Sequence, residues 1–205
     1  QGTGTEHSMT QKVIPKGRLI VISAPSGAGK TSLIAALLKS HGARLQLSVS
    51  TTTRPPRPGE EHGKDYFFCE KDVFAKRIED GAFLEWAFVH GNYYGTSRQW
   101  IEEQLARGGF VLLEIDWQGA QQIRAQFPRE QVVSIFIRPP TVEALRQRLI
   151  DRGKDSVEVI EERLRAAKEE LTHADEFDYV IMNQEFATAL RDLSQLVSQV
   201  VSTPA

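Results

Sequence analysis

The sequence predicts an α/β protein, a parallel sheet with helices on both faces, and three observations predict it. Short apolar runs bounded by turn residues recur along the chain: Arg18–Ser23 (RLIVIS), FVLLEI from Phe110, VVSIFI from Val132 and DYVIMN from Asp178. Stretches with helical apolar spacing lie between them. The runs are apolar at successive positions, the pattern of strands buried on both sides, and strands that alternate with helices pair in parallel.

Taken in order, RLIVIS is followed by a Gly-rich turn and then by TSLIAALLKS, which reads as a helix. Residues 48–97 break the rhythm. They are rich in Thr, Arg, Pro, Gly and aromatics, with helical spacing only around 72–80, and read as a small β-rich insertion. After FVLLEI, residues 118–126 suit a helix. Thr141 then N-caps TVEALRQRLIDR, and Gly153 ends it. Residues 152–173 are strongly charged at helical spacing and read either as a solvated helix or as a lid. DYVIMN precedes an amphipathic helix over 185–201.

The expected organisation is an extension over 1–16 and one domain over 17–205. Its core would comprise 17–47, 98–151 and 174–205, with the insertion at 48–97 and the lid at 152–173. Residues 1–8 are small and polar, precede Met9, and read as a cloning remnant.

At 205 residues, 40% hydrophobic and 25% charged, the chain suits one globular domain. Its formal net charge of -2 argues against a protein that coats nucleic acid or an anionic membrane, so any anionic ligand must be met by local charge. No apolar run reaches the ~18 residues of a membrane span. The single cysteine, Cys69, excludes an intrachain disulfide and fits a cytoplasmic location. Oligomeric state is left open, a homo-oligomer included.

The turn after the first strand reads Ala24-Pro25-Ser26-Gly27-Ala28-Gly29-Lys30-Thr31, followed by Ser32. Between a strand and a helix this is a phosphate-binding loop, a P-loop. Glycines let successive backbone N–H groups turn inward around phosphate oxygens, Lys30 reaches the β and γ phosphates of ATP, and the Thr31 hydroxyl is a magnesium ligand. The helix N-terminus adds positive potential. The usual pattern has glycine where this chain has Ala24.

The insertion points to the phosphoryl acceptor. Arg54 and Arg57 stand three residues apart among stiffening prolines and suit a bidentate grip on phosphate, while Tyr66 and Tyr94 offer phenol donors. Either piece alone also suits a solvated basic turn with core aromatics.

Read together, SAPSGAGKTS, SVSTTTRPPRPGE, HGKDYFF, FLEWAFVHGNYYGTS, EIDWQGAQQIR, IFIRPP and RGKDS with the following EERL resemble the guanylate kinase family across residues 17–185. The resemblance implies ATP and GMP as substrates and magnesium as cofactor. It also implies a GMP site of Ser50, Arg54, Arg57, Tyr66, Glu85, Tyr94, Gly95 and Thr96, with the arginines and tyrosines on the phosphate and the serine and glutamate on the base. Guanine chemistry agrees: one carboxylate accepts from both N1–H and the N2 amino group, and a hydroxyl donates to O6. Adenine would present an acceptor at N1 to Glu85.

Glu114 and Asp116 close the strand FVLLEID, where i, i+2 spacing points both to one face. There they would organise magnesium, Asp116 through water, or contact the acceptor base. The family usually has aspartate at position 114, which leaves the division of roles between the two open. By the same resemblance Arg148, Arg152 and Arg163 are lid residues that neutralise charge on the transferred group, joining Lys30, Arg54 and Asp116 in catalysis. His62, His90 and His173 lack metal-ligand spacing. Three rival readings stand beside this one: a kinase for another monophosphate, a catalytically inactive interaction module of the same fold, and a P-loop GTPase. Ser50 with Glu85 disfavours the first, the full basic set the second, and the lack of an NKxD-type motif the third.

Overall fold

The structure is a computed structural model that describes residues 17–202, so the expected extension over 1–16 lies outside the described residues. In chain order the elements are β1 Arg18–Ser23, α1 Lys30–His41, β2 Leu45–Leu47, β3 Thr51–Thr52, β4 Phe67–Phe68, α2 Lys71–Glu79, β5 Phe83–Val89, β6 Asn92–Ser97, α3 Arg98–Ala106, β7 Phe110–Glu114, α4 Trp117–Gln126, β8 Val132–Arg138, α5 Val142–Arg152, α6 Val157–Thr172, β9 Tyr179–Met182 and α7 Phe186–Ser202.

The core sheet is parallel, in the order β2-β7-β1-β8-β9, so β1 is flanked on both edges and its phosphate loop emerges from the middle of the sheet. Side chains of β1 divide by the two-residue period of a strand. Ile20 and Ile22 pack with Leu33, Leu37, Leu193 and Val197 of α1 and α7. Leu19 and Val21 pack on the other face with Ile101 and Leu105 of α3 and Ile123 of α4. A separate cluster of Leu145, Leu149, Ile160 and Leu164 joins α5 to α6. Thr141 caps α5 through Ala144 N (3.0 Å), and Gly153 closes that helix at φ 65°.

Two strands differ from the sequence reading. β9 is an edge strand, and Tyr179, Val180 and Met182 stay exposed because among the described residues no strand pairs beyond it. β2 is only three residues long, LQL, too short for periodicity to announce, and takes its place by pairing with β7.

The insertion forms a second sheet, β4-β3-β6-β5. His90 (φ 49°) and Gly91 (φ 83°) make the tight β5–β6 turn, which needs left-handed backbone at both positions. The free edge of β5 is covered from the core. Gln122 of α4 accepts from Trp86 N (3.0 Å) and donates to Trp86 O (2.7 Å), and Gln126 donates to Leu84 O (2.6 Å). Spaced one helical turn apart, these amides stand in for a missing strand and fasten the insertion to the core. No helix among the described residues is long and apolar enough to cross a membrane.

Candidate active site between the two sheets

The phosphate loop owes its shape to two glycines. Gly27 and Gly29 have φ of 83° and 84°, where a side chain is strained, and Gly29 is the N-cap of α1. Ala24 has no positive φ, so the departure from glycine at this position carries no conformational penalty. Asn183, just after β9, holds the loop from outside: its buried Nδ2 donates to Ala28 O at 2.8 Å. Lys30 Nζ lies 3.5 Å from Glu114 Oε1, while Thr31 and Ser32 are exposed at the start of α1.

On the insertion, Arg54 is only 9% exposed. Its guanidinium donates to both oxygens of Glu60 (2.8 and 2.9 Å), and Glu60 also accepts from Arg57 N (2.7 Å). The Arg54 hydrogen bonds hold the Glu60 carboxyl at about 2, against the opposing effect of burial. Arg54 also lies over the Tyr66 ring at 5.1 Å, and the Tyr94 ring is 6.0 Å from that of Tyr66. Burial, then the charge of Glu114, pushes the Tyr66 phenol up. Glu114 therefore pairs with Lys30 and lies close enough to Tyr66 to act on its phenol through charge.

Glu85 is a buried carboxylate, 3% exposed, whose Oε1 accepts from Thr96 Oγ1 at 2.6 Å. Burial pushes its carboxyl up to about 7, opposed by the Thr96 bond and reinforced by Asp116. β5 pairs Glu85 with Thr96, and β3 pairs Thr51 with Gly95. The register thus sets half-buried Ser50, one residue before Thr51, beside Thr96, so Ser50, Thr96 and Glu85 share one transverse row.

Asp116 differs from the strand-face reading. Strand pairing ends at Glu114, and Asp116 is instead the N-cap of α4, with Oδ1 accepting from Gly119 N and Oδ2 from Gln118 Nε2, both at 3.0 Å. The requirement to cap orphan N–H groups at a helix start turns the side chain toward the helix.

The three expected lid arginines gather near the phosphate loop. Arg163 donates to Ser26 Oγ (2.6 Å), Arg148 donates to Asn183 O (2.7 Å), and Arg152 pairs with Asp155 (2.9 Å), which also lies 3.6 Å from Arg163. Arg148 Nη1 and Arg163 Nε are buried without hydrogen bonds. Such donors beside a glycine-built cradle fit an incoming triphosphate.

The guanylate kinase family model matches residues 16–200. The chain belongs to the guanylate kinase family. Among its relatives, the guanylate kinase of Dechloromonas aromatica is 55% identical over 181 residues, covering 88% of each chain. That of Nitrosomonas europaea is 57% identical over 179 residues, covering 87% of this chain and 88% of the relative. The crystal structure of guanylate kinase from Anaplasma phagocytophilum superposes with a TM-score of 0.74 at 36% identity, covering 89% of this chain and 85% of that one.

Within this guanylate kinase fold, four residues at the site escaped the sequence reading. Glu60 and Asp155 are ion-pair partners of expected arginines, and acidic residues in polar loops carry no signal of their own. Asn183 had a weak signal, a polar residue ending an apolar strand at its carboxyl end. Glu170 on α6 sits close enough to Lys30, Asp116 and Arg163 to feel their charges, and burial raises its carboxyl to about 7. The histidines serve elsewhere: His62 accepts from Phe68 N, and His173 stacks on Trp117 with ring centroids 3.6 Å apart.

Proposed function

We infer that the chain transfers the γ-phosphoryl group of ATP to GMP, and to dGMP, giving ADP and GDP. The observation that carries the acceptor is the row of Ser50, Thr96 and buried Glu85 on the sheet that α4 fastens to the core. Glu85 accepts from guanine N1–H and N2, and Ser50 donates to O6. Arg54, Arg57, Tyr66 and Tyr94 take the GMP phosphate, with Gly95 and Thr96 lining the site. AMP would leave Glu85 facing an acceptor, a penalty that discriminates strongly in hydrogen-bonding sites.

On the donor side the 24–32 loop holds the β and γ phosphates with Lys30. Arg148, Arg152 and Arg163 spread positive charge over the group in flight. A GMP phosphate oxygen attacks the γ-phosphorus in line as the bond to the β-phosphate oxygen breaks, so no covalent enzyme intermediate is needed. Glu114, paired with Lys30, orients it. The lid and insertion exclude water from the transfer.

No cluster of three or more His, Cys, Asp or Glu side chains suited to a metal is present among the described residues. The oxygen donor available at the loop, Thr31, fits magnesium, a hard ion completed by phosphates and water, with Asp116 acting through water. Bound there, magnesium would neutralise phosphate charge. The substrates are small molecules, and the chain works in the cytoplasm without nucleic acid or membrane partners.

The test is ADP release with ATP and magnesium, offering GMP, dGMP, AMP, CMP and UMP in turn. GMP and dGMP are expected to be preferred, and preference for AMP or a pyrimidine would overturn the assignment. Lys30→Ala is expected to lower turnover about 100-fold or more with GMP affinity within a few-fold. Intact affinity for both nucleotides without turnover in the parent chain would instead support the interaction-module reading.

A further inference from the structure

Gly119 stands in the first turn of α4, buried, with no positive φ. The helical backbone there accepts any L residue, and glycine is a poor choice for it. What the position does not accept is a side chain. A Cβ on Gly119 would lie 2.3 Å from Glu85 Oε2, 3.1 Å from Glu85 Cδ and 3.3 Å from Ile115 Cβ. The other carboxylate oxygen, Oε1, is tied to Thr96 at 2.6 Å. Asp116 Oδ1 holds the Gly119 N–H at 3.0 Å, so the helix turn has little freedom to retreat. The Glu85 carboxylate is wedged between a hydroxyl on β6 and a bare α-carbon on α4.

We propose that Gly119 is a positioning residue for guanine recognition: its missing side chain is the seat of the Glu85 carboxylate and sets the plane in which both oxygens meet the base. The inference rests on Glu85 being the acceptor of N1–H and N2. It assigns the two sheets a shared task, because Glu85 comes from the insertion and its seat from the core. Gln122 and Gln126, on the same helix, hold β5 by its backbone and so keep the seat aligned with the strand.

The effect of filling the seat should be specific. The atom displaced is the end of a flexible side chain, and alanine is the better helix former, so the fold is expected to tolerate Gly119→Ala. The carboxylate has to turn or withdraw. It then no longer accepts from two neighbouring donors at once. IMP, whose base has N1–H but no N2 amino group, loses less than GMP.

The experiment compares the parent chain with Gly119→Ala, Glu85→Asp, the double variant and Glu85→Ala, using GMP and IMP at saturating ATP. Gly119→Ala is expected to raise the GMP KM about 10-fold or more with kcat within about 3-fold, and to reduce the preference for GMP over IMP in kcat/KM by a similar factor. That preference does not depend on the fraction of enzyme that is folded. Glu85→Asp withdraws the carboxylate by one methylene, so adding Gly119→Ala to it should cost little more; the two changes should be non-additive. If Gly119→Ala proves insoluble, the double variant measured against Glu85→Asp carries the test. An unchanged GMP-to-IMP preference in Gly119→Ala, or fully additive effects in the double variant, would overturn the inference alone. An unchanged preference in Glu85→Ala would overturn the reading of Glu85 on which it rests.

Discussion

Glu85→Gln separates the electrostatic cost of the buried carboxylate from its use. Holding this carboxyl at about 7 rather than 4.5 costs the folded state about 3 kcal/mol once the solution is well above neutral. The sign follows from proton binding. Between those two values the folded protein binds more protons than the unfolded chain, so stability falls as pH rises through the window and levels off above it. Glutamine keeps an oxygen for the Thr96 hydroxyl and does not titrate, but its amide hydrogens need acceptors, a loss of about 1 kcal/mol. The variant should therefore be more stable than the parent by about 2 kcal/mol at pH 8, and the gain should shrink to near zero at pH 5. Urea unfolding at both pH values, with equal m-values, measures the difference. A difference of the same size at pH 5 and pH 8 would refute the reasoning, because it would mean that Glu85 does not titrate in this window. The same substitution should lower kcat/KM for GMP about 100-fold or more while leaving the KM for ATP alone, since an amide cannot accept twice from guanine.

Glu60→Ala leaves Arg54 buried without its bidentate acceptor, and should cost about 1–3 kcal/mol and raise the GMP KM roughly 10-fold. Because the folded carboxyl is lowered from 4.5 to about 2, the electrostatic part of that loss is present above pH 4.5 and fades as pH falls toward 2; acid unfolding of variant and parent should converge there. Asn183→Ala removes the donor to Ala28 O, leaving a buried carbonyl unpaired. It should destabilise by about 1–3 kcal/mol and raise the KM for ATP with that for GMP within about 2-fold, as steady-state titration of each substrate would show.

The α/β class, the loop and the four longer core strands were legible because their signals are local: apolar runs bounded by turns, Gly-Ala-Gly-Lys between strand and helix, Thr141 and Gly153 as caps. β2 was not, since three residues carry no period, and β9 was misjudged in burial, since an apolar run does not say whether another strand lies beyond it. Asp116 illustrates a competition between local rules. Its i, i+2 spacing from Glu114 suggests a shared strand face, but a helix begins at the next residue and the demand for an N-cap decides where the side chain goes.

By itself the sequence determined the residue types that chemistry at this site requires: a lysine in a phosphate loop, a pair of arginines, and a glutamate set among bulky apolar residues. Tertiary structure alone decided which groups share an environment. Glu60 and Asp155 become partners of Arg54 and of Arg152 and Arg163, Asn183 becomes the brace of the phosphate loop, and Glu85 of one sheet settles on the bare α-carbon of Gly119 beside the other. Hydrogen bonds, desolvation and steric exclusion act over a few ångströms of space, whereas sequence patterns report only on neighbours along the chain. The 33 residues between Glu85 and Gly119 therefore hid a contact that packing makes direct.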